Sequence, residues 1–494
     1  MLFINPKINP KSETKLITSF IYTTFPTSIG FLAGYLREKN EDKAQILDEN
    51  ILTITDTLLR EEIEKIEGPK IVGISCLTTT AKRTYELAEK IKKIDPEILV
   101  VVGGIHPTVV PNECLSKKNV DVVIKGEGEE TLSKLYEAIK TKKEYGNLKG
   151  ISYRQGEEII HNPPRPLIDM DDLSPFPYDL FEKNIDNYRD FGTIITSRGC
   201  PFQCIYCSQR SISGGKYRHL STEKALQEIG LLVDKYEQKK IWFMEDNLSV
   251  NKKRLLELLD GIIERGYNKK TEFIGGLRSD SVDYEILRKM KQANFTMLEF
   301  GFESGSDRLL KILDKGQIVQ DNVNAILKTH EMGMKASATF IFGIPDETRA
   351  ERLKTYRLAK KLPLDNIRFN VAIPYPGTRL YNIAKSEGSL KILKDWKNFN
   401  VQYYMMGDDI PYVPRGVNKY TLMYDTMKSN LFFYLRPEGI ISLLKSPLSG
   451  GGVISMPQKW YLSLYAIFNI VRLGSFLGKR FLVISFKALY KNIF

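Results

Sequence analysis

A chain of 494 residues, 42% hydrophobic and 27% charged, holds enough apolar material for two or three folded domains, which excludes an intrinsically disordered protein. Five cysteines, three crowded into one loop and two solitary at Cys76 and Cys114, exclude the even, dispersed disulfide set of an extracellular protein and fit a reducing cytoplasm. A net charge of +12 raises nucleic acid or an anionic membrane as partner, so the location of the positive charge matters.

Met1 to Pro10 reads as a strand interrupted by Pro6, without the basic start, apolar core and small-residue cleavage site of a signal peptide, so a cytoplasmic protein is expected. Over residues 1–146 apolar β-branched runs (Leu2 to Asn5, Ala44 to Asp48, Ile71 to Ser75, Leu99 to Gly103, Val120 to Ile124) alternate with helical patterns (about Ser28 to Lys39, Ala81 to Ile94, Glu129 to Lys142). The strands are continuously apolar, which indicates burial on both faces and predicts an α/β domain with a doubly wound parallel sheet. Ligands of such sheets bind beyond the carboxyl ends of the strands, where Leu77 to Thr80, Gly103 to Pro107 and Gly126 to Glu129 fall. Gly103 and Gly104 allow a backbone to approach a bulky ligand, and Thr78 and Thr79 offer hydroxyls; ordinary turns of an open sheet have the same composition.

Residues 147–190 concentrate proline, aspartate and serine and read as a linker without chemistry, opened by a small hairpin around Gln155 and Gly156. Residues 191–404 contain six strand-like runs: Thr193 to Thr196, Ile241 to Glu245, Glu272 to Leu277, Met297 to Glu303, Ala336 to Phe342 and Ile367 to Ile373. All but the last precede a helical pattern, as where Ser221 reads as the N-cap of a helix carrying Ala225, Ile229, Leu232, Val233 and Tyr236 on one face. Six units without a seventh and eighth predict a partial (β/α)6 barrel, with functional groups at the C-terminal strand ends.

Cys200, Cys204 and Cys207 follow the first of these strands directly, spaced C-x-x-x-C-x-x-C. Three such cysteines wrap one side of an iron-sulfur cluster and leave one metal corner without a protein ligand. Structural zinc asks for four ligands, the fourth coming from Cys76, Cys114 or one of only four histidines. Three isolated core cysteines are disfavoured because Gly199, Pro201 and Gln203 make a poor buried strand or helix.

Residues 405–494 form a basic, mostly helical region: from Pro411 onward eleven Lys or Arg face two acidic residues. After a Gly/Ser-rich break at Ser446 to Val453, Trp460 to Phe494 places Arg472, Lys479, Arg480, Lys487 and Lys491 on one helical face. No uncharged run reaches bilayer-crossing length, so this segment either lies on an anionic membrane surface or packs its apolar face on the barrel. The basic residues are scattered among aliphatics with no nucleic-acid reading motif.

Arg198 to Cys207 (RGCPFQCIYC) resembles the signature of the radical S-adenosylmethionine (SAM) superfamily. Val101 to Val110 (VVGGIHPTVV), Lys125 to Leu132 (KGEGEETL) and Ser28 to Arg37 (SIGFLAGYLR) resemble the cobalamin-binding domain that precedes many such enzymes. Phe432 to Pro437 (FFYLRP) is similar to a segment in the branch that includes anaerobic porphyrin ring cyclases and hopanoid-modifying enzymes. The resemblance implies a 4Fe-4S cluster on Cys200, Cys204 and Cys207 whose open iron is chelated by SAM, with Tyr206 against the adenine. It further implies Glu245 or Asp246 for the SAM ammonium, Arg278 for its carboxylate and Glu303, rather than Glu299, for the ribose hydroxyls. In the first domain it implies a cobalamin site using Thr78, Thr79, Gly103, Gly104, His106, Gly126 and Glu127.

One departure stands out: the D-x-H-x-x-G segment that supplies a histidine to cobalt in other cobalamin proteins is absent, and His106 lies in a different loop. Either cobalt is bound without a protein histidine or the domain has lost its cofactor. The implied reaction is reductive cleavage of SAM to a 5'-deoxyadenosyl radical and functionalisation of an unactivated carbon, by methyl transfer or by cyclisation, coupling or rearrangement. The reading from a different class is a non-catalytic iron-sulfur or zinc protein. Implied partners are a small-molecule or lipid-like substrate and a reducing flavodoxin or ferredoxin, with peripheral contact at the inner face of the membrane through the C-terminal region.

Overall fold

Leucine, isoleucine and valine runs build the first sheet in the computed structural model, which describes residues 1–8, 24–188, 190–401, 403–436 and 478–489. Strands β1 (Leu2–Asn5), β2 (Gln45–Asp48), β3 (Ile71–Ser75), β4 (Leu99–Gly103) and β5 (Val122–Ile124) run parallel in the order β2-β1-β3-β4-β5. Leu2, Val72, Ile74, Val100 and Val102 pack on one face with Leu87 and Ile91, while Phe3, Val101 and Val122 pack on the other with Ile29, Leu36 and Leu135. The hairpin expected in the linker belongs to this sheet instead. Its strands β6 (Ile151–Gln155) and β7 (Glu158–His161) continue it antiparallel from β5, which gives partners to backbone groups that an open edge would leave unpaired. The rest of the linker is aromatic mortar: Phe176, Tyr178 and Phe181 gather around Phe25, with Phe25–Phe176 centroids 5.1 Å apart.

Strands β8 (Thr193–Ile194), β9 (Lys240–Phe243), β10 (Glu272–Leu277), β11 (Phe295–Glu303), β12 (Lys335–Phe342) and β13 (Asn366–Val371) form the second sheet, all parallel and in sequential order. Their residues alternate. Phe243, Phe273, Phe300, Phe302, Phe340 and Phe369 are buried in the hydrophobic core, each contributing roughly 1.5–3 kcal/mol, and Phe340 stacks on Phe369 at 4.6 Å. Trp242, Glu299, Ser337, Thr339 and Arg368 face the lumen.

A partial barrel ends on an open strand, and helix Lys419–Tyr434 covers it. Asn430 Oδ1 accepts the Phe369 N–H at 3.0 Å and its Nδ2 donates to the Phe369 carbonyl at 2.8 Å. The Tyr434 hydroxyl likewise accepts from Ile367 N–H at 3.1 Å and donates to its carbonyl at 2.9 Å. Two side chains thus stand in for a seventh strand. Residues 478–489 form a further helix, in which Phe481 stacks on Tyr424 at 5.4 Å and Arg480 pairs with Asp408 at 2.7 Å, joined there by Lys487. Two of the basic residues expected on one helical face therefore turn toward the protein, while Leu482, Phe486 and Leu489 are about two-thirds exposed. The Gly/Ser-rich break, Trp460, Arg472 and Lys491 lie outside the described residues. Among those described, no helix is long and apolar enough to cross a membrane.

Helix Thr222–Gly230 starts after Ser221 as expected, but the Ser221 hydroxyl makes no capping bond; its backbone N–H donates to Asp171 Oδ1 at 2.7 Å. The same helix buries Glu228, which accepts the Phe176 N–H at 2.7 Å and leaves Oε2 without a partner among the described residues. Burial pushes the Glu228 carboxyl up to about 7 from 4.5. A carboxyl raised on folding stabilises fully below its unfolded pKa, and that contribution is lost as pH rises through the folded one, here between about 4.5 and about 7. Glu228→Gln keeps an acceptor for Phe176 and does not ionise. Urea midpoints should therefore fall more steeply in wild type than in Glu228→Gln between pH 5 and 8, by on the order of 3 kcal/mol. Parallel curves would count against a buried, titrating Glu228.

Candidate active site

The cysteine loop is held before it reaches its first cysteine. Ser197–Arg198 pairs antiparallel with Arg218–His219, and Glu245 at the end of β9 accepts the Thr196 N–H at 2.8 Å together with the Thr196 and Ser197 hydroxyls. Gly199 turns the chain at φ 87°, where a Cβ would sit 2.0 Å from the Lys216 carbonyl, and its N–H donates to Asp246 Oδ2 at 2.8 Å. Glu245, expected at the SAM ammonium, is thus committed to bracing the loop. Asp246 stays at the cavity wall.

Cys200 and Cys204 are half-buried and Cys207 is exposed. Although an edge of Cys207 reaches the surface, the protein atoms packed around it desolvate its sulfur and, with Cys204, Asp246 and Cys200 adding to this, push its thiol up to about 11; burial likewise raises Cys200, with Cys204 and Asp246 contributing. The raised thiols of Cys200 and Cys207 lose protons readily only when a cation offsets the charge, so the donor set fits an iron-sulfur cluster.

Arg278 closes β10 and lies flat over Phe202 of the cysteine loop, 3.5 Å from the ring centroid. Its guanidinium also donates to Asp280 and to the Lys315 carbonyl, each at 2.8 Å. Glu303 ends β11 at a register shift and with φ 62°, a strained conformation for a glutamate, so the break in pleat re-aims its side chain. Glu303 Oε1 accepts from the Tyr206 hydroxyl at 2.8 Å and from Lys315 Nζ at 2.9 Å. The sequence reading missed Lys315. It lies in a turn after helix Asp307–Ile312, and nothing local marks it as a partner of Tyr206, 109 positions away.

Arg278, Glu303, Tyr206 and Asp246 share one cavity of about 390 Å³, which continues down the lumen to Trp242 and Glu299. A second cavity, about 360 Å³ and mostly apolar, lies between the carboxyl ends of the first sheet and the cysteine loop, lined by Leu77, Gly103, Gly104, Gly126 and Glu127 on one side and Arg198, Met244 and Asp246 on the other. A Cβ placed on Gly103 or Gly126 would meet nothing within 4 Å, so bare backbone floors the space. That is a cradle for a broad, flat group such as a corrin ring.

Thr78, Thr79 and His106 do not line this cradle. His106 is fully buried with Nδ1 3.2 Å from Thr78 Oγ1 and its ring edge-on to Trp396, whose indole N–H donates to Glu113 at 2.7 Å. The histidine therefore fastens its loop to residues near Trp396 rather than reaching toward a metal. Leu77, half exposed, takes the strand-end position instead. Glu127 is held by Arg218 at 2.5 Å, and Arg198 bridges to Glu129 at 2.8 Å while stacking over Phe31, so buried ion pairs tie cradle and cysteine loop together.

Profiles of two families match the chain: the radical SAM superfamily over residues 194–359 and the B12 binding domain over residues 14–136. Over 438 residues it is 32% identical to the uncharacterized methyltransferase PH0819 of Pyrococcus horikoshii, covering 87% of this chain and 92% of that protein. This chain belongs to the cobalamin-binding radical SAM family. It is a radical SAM enzyme, and the cysteine loop and glycine cradle lie within its two matched domains. The anaerobic magnesium-protoporphyrin IX monomethyl ester cyclase of Cereibacter sphaeroides is 26% identical over 422 residues, which cover 83% of this chain and 67% of the cyclase. The radical SAM methyltransferase TsrM of Kitasatospora setae, solved with cobalamin and a [4Fe-4S] cluster bound, shares the fold with a TM-score of 0.69 at 16% identity, covering 87% of this chain and 88% of TsrM.

Proposed function

We propose that this enzyme is a cobalamin-dependent radical SAM methyltransferase acting on an unactivated carbon of a small molecule. The observation that carries the reading is that one residue, Asp246, lines both the glycine-floored cradle and the cavity below the cysteine loop, so groups bound in the two would lie on either side of a single carboxylate. When bound, the reduced cluster and cobalamin supply, respectively, the electron that cleaves SAM to methionine and a 5'-deoxyadenosyl radical, and a transferable methyl group. Cys200, Cys204 and Cys207 would hold the cluster. Glu303, aimed by Tyr206 and Lys315, is suited to accept ribose hydroxyl protons, while Arg278 and Asp246 present opposite charges to the two ends of an amino acid moiety. Gly103, Gly104 and Gly126 would lie against the corrin ring, and the apolar walls of the cradle keep water from a reactive centre.

Anaerobic turnover with SAM, cobalamin and reductant should yield S-adenosylhomocysteine alongside 5'-deoxyadenosine; deoxyadenosine alone would turn the reading to cyclisation or coupling, which the cyclase relative favours. Gly103→Leu provides a separate check on the cradle. With nothing within 4 Å of its Cβ, the variant should fold with an unchanged melting temperature yet carry at least tenfold less cobalt per protein, leaving iron content unaltered. Wild-type cobalt occupancy in this variant would place the cofactor elsewhere.

Electrons would enter from a reduced flavodoxin or ferredoxin at the side where Cys207 is exposed. The outward Leu482, Phe486 and Leu489 support peripheral contact with the inner face of a membrane. Flotation of the full chain with anionic liposomes, abolished by Phe486→Asp, is the expected result there.

A further inference from the structure

The lumen of the barrel is polar where interiors of this architecture are ordinarily filled by layers of branched apolar side chains. Lys240 and Trp242 of β9, Glu299 of β11, Ser337 and Thr339 of β12 and Arg368 of β13 line it, while the alternate residues of the same strands form the phenylalanine core outside. A charge drawn away from water is costly unless it is paired: Lys240 has Asp190 at 3.6 Å, Arg368 is exposed, and half-buried Glu299 is hydrogen-bonded through one oxygen. Its Oε2 accepts the Trp242 indole N–H at 3.1 Å, and among the described residues no donor reaches Oε1. Burial raises its carboxyl, only partly offset by the Arg368 cation.

Glu299 lies two residues before Gly301 and, across the register shift, four before Glu303, and both acids line one cavity, Glu299 beyond the Glu303–Tyr206–Lys315 cluster. A Cβ at Gly301 would come within 2.5 Å of Glu303 Oε1, so the glycine gives that cluster its room and keeps this stretch of wall bare. The cavity is thereby continuous from the strand ends to Glu299.

We propose that Glu299 is a specificity-determining residue, its free carboxylate oxygen receiving an ammonium or hydroxyl group of the substrate against the Trp242 ring. The substrate is then a small polar molecule with a donor group at its buried end, in place of the lipid-like one suggested by family resemblance. This assignment rests on the methyltransferase reading for its biological meaning, but its test reads neither SAM cleavage nor methyl transfer, so either can fail without the other.

The experiment is isothermal titration of the full chain, reconstituted anaerobically with cluster and SAM, using benzylammonium and the similarly sized benzoate as probes. Benzylammonium should bind with a Kd at least tenfold below that of benzoate, and Glu299→Gln should weaken it at least tenfold while wild-type cluster absorbance shows the site intact. Ser337→Leu, which narrows the lumen from a different strand, should block it too. Equal or tighter binding of benzoate, undetectable benzylammonium binding to wild type, or unchanged benzylammonium binding in both variants overturns the proposal.

Discussion

Cys204→Ala enzyme, purified and reconstituted without oxygen, is expected to lose the iron-sulfur charge-transfer absorbance and to form 5'-deoxyadenosine below detection, at least a thousandfold under wild type, while its cobalt content and melting temperature stay within error. The expected loss is total because the three cysteines would be the complete protein ligand set of the loop, and a cluster one ligand short of full protein coordination tolerates no further deficit. The fold is expected to survive because the loop's shape is set by other groups: Glu245 on Thr196 and Ser197, Asp246 on Gly199, and Arg278 across Phe202. Cys204 itself is only half-buried, so its removal opens no core cavity. Iron quantitation with optical spectra checks one half of this prediction, and chromatography of the nucleoside product the other. Retained SAM cleavage in the alanine variant would mean that these cysteines do not hold the reactive cluster.

The cysteines were legible because their signal is local: the spacing and the loop-forming glycine and proline stand within ten positions. The parallel strands were legible for a related reason, since two-sided burial writes itself as unbroken apolar runs such as Leu99–Gly103. What stayed hidden depends on contacts between distant segments. Lys315 reaches Glu303 and Tyr206 only through a turn, the ion pairs of Glu127 join residues up to 91 positions apart, and His106, expected in the cobalamin site, is turned by packing toward Thr78 and Trp396. The polar lumen is a different case, because its mark was present in the sequence. Lys335–Phe342 (KASATFIF) and Asn366–Val371 (NIRFNV) alternate with period two, the pattern of strands with one face on a core and the other on a cavity, and so announce an open barrel rather than a filled one.

The barrel's open side carries the second large effect, and Asp425 of helix Lys419–Tyr434 is its centre. This carboxylate is buried and accepts from Arg352 and Arg349 at 3.2 Å, and Arg352 in turn lies 3.5 Å from Glu347, whose own carboxyl burial pushes up to about 8. Asp425→Ala leaves the fully buried Arg352 cation with Glu347 as its one remaining acidic neighbour among the described residues, a change that costs about 3–5 kcal/mol when a buried pair loses one member. For a domain of this size the melting temperature should fall by roughly 10 °C, read by scanning calorimetry. The loss is expected to be more than electrostatic. As the helix loosens, Asn430 and Tyr434 release the backbone of β13, exposing an edge that pairs with other chains, so light scattering should rise before the barrel melts. Asp425→Leu combined with Arg352→Met separates the two contributions, because removing both charges spares the desolvation cost while restoring apolar packing. It should recover most of the lost stability and suppress the scattering. A melting temperature for Asp425→Ala within about 2 °C of wild type, by the same scaling, would show that the helix is held by its apolar face alone and that the buried charges contribute nothing to closing the barrel.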